Sequence, residues 1–470
     1  GMAGTGEPNT GADTEADTEA ELTPHARSFL RRMTAATGGG MFIDGFVFAT
    51  FAAALAGRAH DALHVSSLWE SLISASVLIG TFFGGLFLGY VTDRIGRRPM
   101  FTIDLSVFLG CAVLLFFVGS AWQIFALGLV MGLAVGADYS IGSPLLGEFA
   151  QAKTRGNFLG LLEIAWNVGY VIAYLIGYLI NTYEPGAWRF ILVASAVPAI
   201  ICLFMRHGLP ESPRWLVAKG RRDEAEEIMR TRMDTTELGD LLNEERLDTR
   251  WGLLFSKEYL RRTVFACTFW SAIVLPYFAL TFFQPDILRS IGLGSGALLG
   301  ALLGTIIALV GATIGWWLVD RVGRRKILVP PMFVCGAFLL IAAAYSHLPT
   351  IVGAIAFFGY LFSYGIMSIL PGIYPEEVFP SSVRASGVGV STAASRAAAA
   401  IGTFLLPIVQ AGLGTAWVLI IMGIVSVIGG ITSYFWAPET NGKPLTATSQ
   451  RIDPHTYRRR PSEPATGMAA

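Results

Sequence analysis

Long apolar runs alternate with short polar joints along this chain of 470 residues. A membrane-spanning helix needs about 20 mostly apolar residues, and runs of that length predict twelve such helices. They lie near residues 38–57, 68–90, 100–119, 122–146, 156–180, 188–206, 262–284, 295–318, 327–345, 350–372, 386–410 and 415–437. Six precede a long polar stretch and six follow it, which predicts an all-α integral membrane protein built from two six-helix bundles.

The polar stretch between the two sets of helices carries many charged residues among spaced apolar ones. This pattern is typical of short amphipathic helices rather than of a membrane span. The first residues are rich in Gly, Thr and Glu without periodicity, which indicates a disordered tail. We therefore predict five segments: a tail at 1–26, an N-terminal bundle at 27–207, a linker at 208–261, a C-terminal bundle at 262–438 and a C-terminal tail at 439–470.

Three short charged motifs each occur twice, in the same order. The first pair comprises residues 89–98 (GYVTDRIGRR) and 320–325 (DRVGRR), the second 148–155 and 377–384, and the third 210–212 (PES) and 438–440 (PET). The copies are offset by 227, 229 and 228 positions, respectively. Such constant offsets indicate two homologous halves.

Basic residues in the short joints predict the orientation of the chain. Arg97, Arg98, Arg324, Arg325 and Arg384 all fall on one side of the predicted helices. Because cytoplasmic loops carry an excess of Lys and Arg, we expect this side and both termini to be cytoplasmic, in a protein of the cell membrane.

The composition excludes several classes of function. The chain is 53% hydrophobic and 14% charged, with a mean hydropathy of +0.56, as expected for a protein in a lipid bilayer. Its net charge of zero and the lack of a recognition motif argue against nucleic acid as a partner. The four cysteines show no pair spacing, and no nucleophile–base pattern or metal-ligand cluster is evident. We expect a monomeric, non-enzymatic protein without a metal or cofactor.

The motifs, taken together, resemble those of the major facilitator superfamily, in the branch of sugar porters, organic cation and anion transporters, and phosphate:proton symporters. The resemblance covers about residues 27–445. Residues 89–98 are similar to the signature loop between helices 2 and 3 of that superfamily, and residues 320–325 to its partner between helices 8 and 9. The resemblance implies a major facilitator fold that moves a small solute by alternating access to a site between the two bundles, near the bilayer midplane.

The charged residues of the repeated motifs are predicted to act in gating. An Asp at a helix end beside Arg residues at helix starts can form ion pairs with neighbouring helices and with helix termini, and such pairs can hold one conformation. The alternative is that the arginines only set the topology. Glu148 with Arg155, and Glu377 with Arg384, are expected to complete the same network within each half. The predicted gating residues are Asp93, Arg97, Arg98, Glu148, Arg155, Asp320, Arg324, Arg325, Glu377 and Arg384.

Asp44, Asp138 and Arg396 are ionisable residues well inside predicted helices 1, 4 and 11. Such residues are costly in a membrane and indicate a functional site, and the resemblance places all three around one cavity. Asp44 resembles the helix 1 acid of proton-coupled relatives, and Asp138 lies in a sequence similar to the helix 4 Gly-Asp-Tyr motif of phosphate symporters. We predict proton coupling by Asp44 and Asp138, although one of them can instead neutralise Arg396.

Arg396 resembles the helix 11 basic position of organic anion transporters. Its planar guanidinium suits a carboxylate or phosphate, so it is predicted either to bind an anionic substrate or to pair with Asp44 or Asp138. Aromatic and polar side chains of cavity helices can line a pocket for a small solute, although any one aromatic residue can serve packing alone. These further substrate-binding candidates are Glu163, Trp166, Asn167, Trp270, Tyr277, Gln284 and Tyr364.

The pocket matches no single subgroup of the branch. Helix 7 reads WSAIVLPY over residues 270–277 and lacks the glutamines of sugar porters, and Val274 falls where phosphate symporters carry an acid. We therefore predict a secondary active transporter that carries out proton symport of a small organic anion such as a carboxylate. The alternatives are a sugar or polyol permease, efflux of amphipathic compounds, and a solute receptor that does not transport. The predicted partners are a small molecule, protons and the lipid bilayer.

Overall fold

The computed structural model describes residues 22–150, 154–235 and 251–449. Within these residues, twelve helices are long and apolar enough to cross a membrane. We number them α1 Pro24–Ala56, α2 Ser67–Ile95, α3 Arg97–Phe117, α4 Ala121–Phe149, α5 Arg155–Tyr183, α6 Pro185–Arg206, α7 Leu260–Phe282, α8 Gly294–Val322, α9 Arg324–Ala343, α10 Thr350–Val378, α11 Arg384–Leu413 and α12 Thr415–Trp436. The prediction of an all-α protein with twelve membrane helices is confirmed.

The largest difference from the predicted bounds is at the start of α1. The helix begins at Pro24, about four turns before the apolar run that predicts it. Thr23 caps the helix, because its hydroxyl oxygen accepts a hydrogen bond from the Ala26 N–H at 3.2 Å, and Pro24 occupies the first helical position. The first turns are polar and therefore carry no hydropathy signal. They extend α1 into the segment that was assigned to the tail.

The linker contains short helices where the structure describes it. Pro213–Ala218 begins after the capping residue Ser212, and Arg222–Arg232 follows it. Trp215 and Leu216 pack with Ala225 in a small core of their own. The predicted tail at residues 1–21, the linker residues 236–250 and the C-terminal residues 450–470 lie outside the described residues.

The same helix pairings recur in the two halves. Helix α1 packs on α5 as α7 packs on α11, and α2 packs on α4 as α8 packs on α10. Between the halves, α2 packs on α11 and α8 on α5. A Cβ on Gly389 would lie 2.1 Å from the carbonyl oxygen of Gly85, so only glycine lets α2 and α11 approach this closely.

The linker helices and the motif joints lie at one end of the bundle, which we call the linker side. The Glu211 carboxylate contacts the start of α3, and the Thr23 hydroxyl before α1 donates to the Asp234 carboxylate at 2.9 Å. By the distribution of basic residues, we expect the linker side to be cytoplasmic.

Candidate functional site

A buried cluster of charges joins α2, α3 and α4 on the linker side. Nη1 of Arg97 donates to Oδ1 of Asp93 at 2.8 Å, and Nη2 donates to Oε1 of Glu148 at 2.9 Å. All three side chains are buried. The N-terminal half thus brings together the predicted gating residues Asp93, Arg97 and Glu148.

The same carboxylates also hold the C-terminal half. Oε1 of Glu148 accepts hydrogen bonds from Nη1 of Arg384 at 3.0 Å and from the Ser381 hydroxyl at 2.6 Å. Asp93 accepts the backbone N–H groups of Ala385 at 3.1 Å and Ser386 at 2.5 Å, at the start of α11. A carboxylate is stabilised at a helix N-terminus, where free N–H groups and the helix dipole favour negative charge. We call these contacts the first latch.

A second latch repeats this arrangement with the roles of the halves exchanged. Arg324 donates to Asp320 at 3.0 Å and to Oε1 of Glu377 at 3.0 Å. Oε2 of Glu377 accepts from Arg155 of the N-terminal half. The predicted pairs Glu148–Arg155 and Glu377–Arg384 within each half are therefore wrong, because the two glutamates exchange these arginines between the halves. Oδ2 of Asp320 accepts the backbone N–H of Asn157 at 2.7 Å, at the start of α5. Both latches therefore close the linker side, and their role in gating stays a prediction.

Arg98 and Arg325 contribute differently from the other predicted gating residues. The Glu211 carboxylate accepts the backbone N–H of Arg98 at 3.1 Å, and that of Glu439 accepts the backbone N–H of Arg325 at 3.3 Å. The guanidinium of Arg325 donates to the Ala437 carbonyl at 2.6 Å, outside the latch. The Pro-Glu motifs therefore cap α3 and α9, a role that the sequence analysis did not assign.

Asp138 has a different cationic partner from the one expected. Nη2 of Arg206, in the last turn of α6, donates to Oδ1 of Asp138 at 2.6 Å, and its Nη1 lies 3.3 Å from Oδ1 of Asp104 in α3. The sequence analysis missed both Asp104 and Arg206. The argument that selected Asp44 applies equally to Asp104, which also interrupts an apolar run.

Asp44 lies beside this pair. A small cavity is lined by Asp44, Asp104 and Asp138 together with Gly40. A Cβ on Gly40 would lie 2.0 Å from Oδ2 of Asp138, so the glycine lets the ion pair rest against α1. In the part of the chain that the structure describes, Oδ2 of Asp44 and Oδ2 of Asp138 have no hydrogen-bond partner. We call Asp44, Asp104, Asp138 and Arg206 the acidic cluster.

Arg396 forms no ion pair with Asp44 or Asp138. Its Nη2 donates to the Tyr139 hydroxyl at 3.0 Å, and its guanidinium carbon lies 5.1 Å from the ring centre of Tyr139 and 4.7 Å from that of Phe278. The residue is only 1% exposed. Among the described residues, its Nε and Nη1 find no hydrogen-bond partner and no carboxylate lies within 4 Å. Because Tyr139 follows Asp138 directly in α4, the arginine and the acidic cluster are neighbours.

The predicted aromatic candidates lie together between the halves. The rings of Tyr277 and Tyr364 are stacked with their centres 3.8 Å apart, and Trp166 lies 6.0 Å from Tyr277. Trp270 lies 5.7 Å from Tyr139. Phe278 joins this wall but was missed, because a phenylalanine in an apolar helix gives no signal that separates a wall of a site from packing.

The remaining candidates fall in different places. Asn167 donates to the Glu163 carbonyl within α5 at 2.9 Å, so its amide nitrogen is satisfied locally. Gln284 is buried against α8, where a Cβ on Gly304 would lie 2.1 Å from its Nε2. Glu163 is buried against Gly372 of the other half. The structure groups Arg396 with the aromatic residues and leaves Gln284 on the flank of α8.

Curated relatives match over most of their length. The chain is 35% identical over 425 residues to the inner membrane metabolite transport protein YgcS of Escherichia coli, covering 88% of this chain and 93% of that protein. It is 32% identical over 424 residues to the putative metabolite transport protein YaaU of the same organism, covering 90% and 95%. The glucose transporter GlcP of Staphylococcus epidermidis is 28% identical over 406 residues, covering 82% and 89%.

Solved structures show the same fold. The proton:xylose symporter XylE bound to 6-bromo-6-deoxy-D-glucose matches with a TM-score of 0.79 at 19% identity, over 89% of this chain and 98% of that one. The inward-open form of XylE from E. coli matches with a TM-score of 0.69 at 19% identity, over 89% and 99%. A family model described as "Sugar (and other) transporter" matches residues 24–451. The chain is therefore a multi-pass membrane protein that belongs to the sugar (and other) transporter family of the major facilitator superfamily.

Proposed function

We propose that this transporter carries a small organic anion together with protons, and that Arg396 binds the anionic group. The observation that carries the proposal is the state of Arg396, which is buried with Nε and Nη1 unpartnered among the described residues. An uncompensated charge buried in a protein costs several kcal/mol. A carboxylate would supply the opposite charge, and it would supply an acceptor to one of the two unpartnered nitrogens by bridging either Nε and Nη2 or Nη1 and Nη2.

The surroundings of Arg396 favour an anion with an apolar or planar body. Phe278 and Trp270 lie beside the guanidinium, and the stacked pair of Tyr277 and Tyr364 continues the same wall. Such walls bind the body of a small ligand, while a few polar groups fix its orientation. The low dielectric also strengthens the attraction between arginine and anion.

The acidic cluster supports the proton part of the proposal. It holds three carboxyl groups and one guanidinium, so it carries two uncompensated negative charges when fully ionised. Such an excess is unfavourable inside a membrane, which favours the binding of at least one proton. Asp44 is the natural carrier, because Arg206 contacts Asp104 and Asp138 and leaves Asp44 outside the ion pair. The partner of Arg396, Tyr139, is the residue that follows Asp138 of this cluster along α4.

The proposed cycle couples the two sites. An anion binds Arg396 while Asp44 takes up a proton, and the two bundles then rock about the midplane so that the linker-side latches open. The names of XylE, a proton:xylose symporter, and of YgcS, an inner membrane metabolite transport protein, agree with proton coupling and with a place in the inner membrane.

A sugar or polyol is the second candidate substrate. The relatives include the glucose transporter GlcP and the major myo-inositol transporter IolT of Bacillus subtilis. One observation at Glu163 favours a sugar or polyol. Its buried Oε1 has no partner in the described part of the chain and can accept a hydrogen bond from a substrate hydroxyl group.

A thermal-shift titration with matched ligand pairs separates the two candidates. Gluconate and sorbitol differ mainly in a carboxylate, as do benzoate and benzyl alcohol. We expect a carboxylate to stabilise the purified protein more than its neutral counterpart does. Arg396→Gln should weaken the binding of this carboxylate by about 10- to 100-fold, because a hydrogen bond to a charged group contributes about 1.5–3 kcal/mol. Arg222→Gln, at an exposed linker arginine, is the control.

Uptake into proteoliposomes tests the coupling. An inward pH gradient should drive accumulation of the stabilising anion, and Asp44→Asn should abolish the gradient dependence while ligand binding at Arg396 survives. Stabilisation by glucose or myo-inositol and by no carboxylate would overturn the anion proposal in favour of the permease.

A further inference from the structure

The two latches are balanced in charge within the described residues. Each acid contacts an arginine, and each arginine contacts an acid. The four acids are Asp93, Glu148, Asp320 and Glu377, and the four arginines are Arg97, Arg155, Arg324 and Arg384. These latches therefore contain as many acids as arginines, so a further carboxylate beside them adds a net negative charge.

Glu376 is a further acid at this place. It precedes the latch residue Glu377 in the last turn of α10 and is 1% exposed. Neither of its carboxyl oxygens has a hydrogen-bond partner among the described residues, and no described cation lies within 4 Å of them. Neither the predicted gating network nor the proposed substrate site uses this residue.

The burial of Glu376 depends on contact between the halves. Its Cβ lies 3.6 Å from the position that a Cβ on Gly147 of α4 would occupy. Glu163 of α5 interacts electrostatically with Glu376, and its Cγ lies 3.0 Å from the position of a Cβ on Gly372 in the C-terminal half. Each of the two acids therefore lies against a glycine of the opposite half, and opening of the linker side would expose both.

The charged groups around Glu376 do not neutralise it. Glu163 and Glu377 are acids, and Glu377 is held by two arginines. Arg384 of α11 faces Glu376 but pairs with Glu148 of α4, and Arg262 of α7 donates to the Val378 carbonyl at 3.2 Å. Glu163 in turn interacts electrostatically with Arg396, the proposed substrate ligand.

We propose that Glu376 is a proton-binding site, which fills when the linker side closes and empties when it opens. An ionised carboxylate without a partner costs several kcal/mol when buried, whereas the neutral acid carries no charge to desolvate. In the open conformation water hydrates the group and it ionises as an ordinary glutamate. On closure one carboxylate oxygen takes a proton from water on the linker side and returns it on opening.

The consequence is a conformational equilibrium that depends on pH. Because the closed state holds one proton more than the open state, the ratio of closed to open protein falls by up to about tenfold per unit as pH rises. The proposal extends the proton coupling of the proposed function to a second residue. It rests on that function for its part in transport, but the equilibrium itself needs neither the anion nor Asp44.

Spin labels on the linker side measure this equilibrium directly. Arg94 and Lys326 are exposed at the linker ends of α2 and α9, one in each half. Labelled Arg94→Cys and Lys326→Cys, with the four native cysteines replaced, report the distance between the halves by pulsed electron resonance in lipid nanodiscs without substrate. From about pH 5 to about pH 9, on either side of neutral, we expect the long-distance, open population to grow.

Matched variants assign the proton. Glu376→Gln should keep the protein closed at the alkaline end, and Glu376→Asp should retain a pH dependence. Glu226→Gln, at an exposed linker acid, should follow the unmodified protein. A pH curve in Glu376→Gln that matches the unmodified protein would overturn the proposal.

An infrared measurement covers the case in which Glu376→Gln fails to fold. The unmodified protein at neutral pH should show a protonated carboxylic acid band that Glu376→Asp shifts. An unshifted band would contradict the assignment. These readings use substrate-free protein, so they can succeed while the gluconate titration of Arg396 fails, or the reverse.

Discussion

Glu148 is the acceptor through which the first latch crosses between the halves. Its Oε1 accepts from Arg97 in its own half and from Arg384 and Ser381 in the other half. Replacement by glutamine keeps the shape of the side chain and one carbonyl acceptor but removes the charge. The contact to Arg97 lies within one half. We expect it to persist in both conformations, so its loss should affect overall stability more than gating.

The contacts to Arg384 and Ser381 cross between the halves. We expect opening of the linker side to break them, so their weakening should shift the equilibrium. Charge-assisted hydrogen bonds are roughly twice as strong as neutral ones. Loss of the charge should therefore cost the closed state about 1–2 kcal/mol, which corresponds to a roughly 5- to 30-fold fall in the ratio of closed to open protein.

The spin-label distance between Arg94→Cys and Lys326→Cys measures the effect of Glu148→Gln at one pH. Glu377→Gln, the equivalent change in the second latch, should open the linker side to a similar extent. Asp286→Asn, in an exposed pair with Arg289, is the control. A closed population that is unchanged in both latch variants would refute the reasoning that the latches stabilise this conformation. A double-mutant cycle of Glu148→Gln with Arg384→Gln isolates their coupling energy.

Three further changes test the packing and the charges beneath the latches. Gly40→Ala places a Cβ 2.0 Å from Oδ2 of Asp138 and should lower the melting temperature by several degrees, whereas Gly110→Ala meets nothing within 4 Å and should not. Arg206→Gln should destabilise the protein by about 3–5 kcal/mol in chemical unfolding, and adding Asp138→Asn should restore part of that loss. Asp93→Asn should cost about 1 kcal/mol of closed-state stability through the α11 terminus, read from the same distance distribution. An unchanged melting temperature in Gly40→Ala would contradict the first expectation. The absence of rescue by Asp138→Asn would contradict the second, and an unchanged distance distribution in Asp93→Asn would contradict the third.

The twelve helices and the residues of the two latches could be predicted because their signals are local. The exchange of the partners of Glu148 and Glu377 between the halves could not. An apolar run of sufficient length has one solution in a bilayer, and the motif copies fix which acids and arginines are equivalent. The pairs Asp93–Arg97 and Asp320–Arg324 lie four residues apart across a single helix joint. Such pairs follow from the sequence without knowledge of the packing.

The partners of the deeper charges could not be predicted in this way. Arg206 ends a predicted helix, where a basic residue is ordinarily a topology signal, and only the packing of α6 on α3 and α1 brings it to Asp138 and Asp104. Arg396 reaches Tyr139 across the two halves. That contact depends on how α11 is rotated about its own axis. Small and apolar residues occupy most positions around this helix, so its hydrophobic periodicity does not determine the rotation.

The repeat itself separates gating from coupling. An offset of 229 positions carries Glu148 onto Glu377 but carries Gly147 onto Glu376, and carries Asn167 onto Arg396. The charges that hold the halves together are duplicated, because rocking about a pseudo-two-fold axis needs equivalent contacts on both sides of it. Charges that bind a cargo or a proton have no such need, since one ligand occupies the axis. Glu376 lies against Gly147, its own counterpart in the other half. This arrangement fits the proposed single proton site on the axis, because one side provides a carboxyl group and the other side provides space for it.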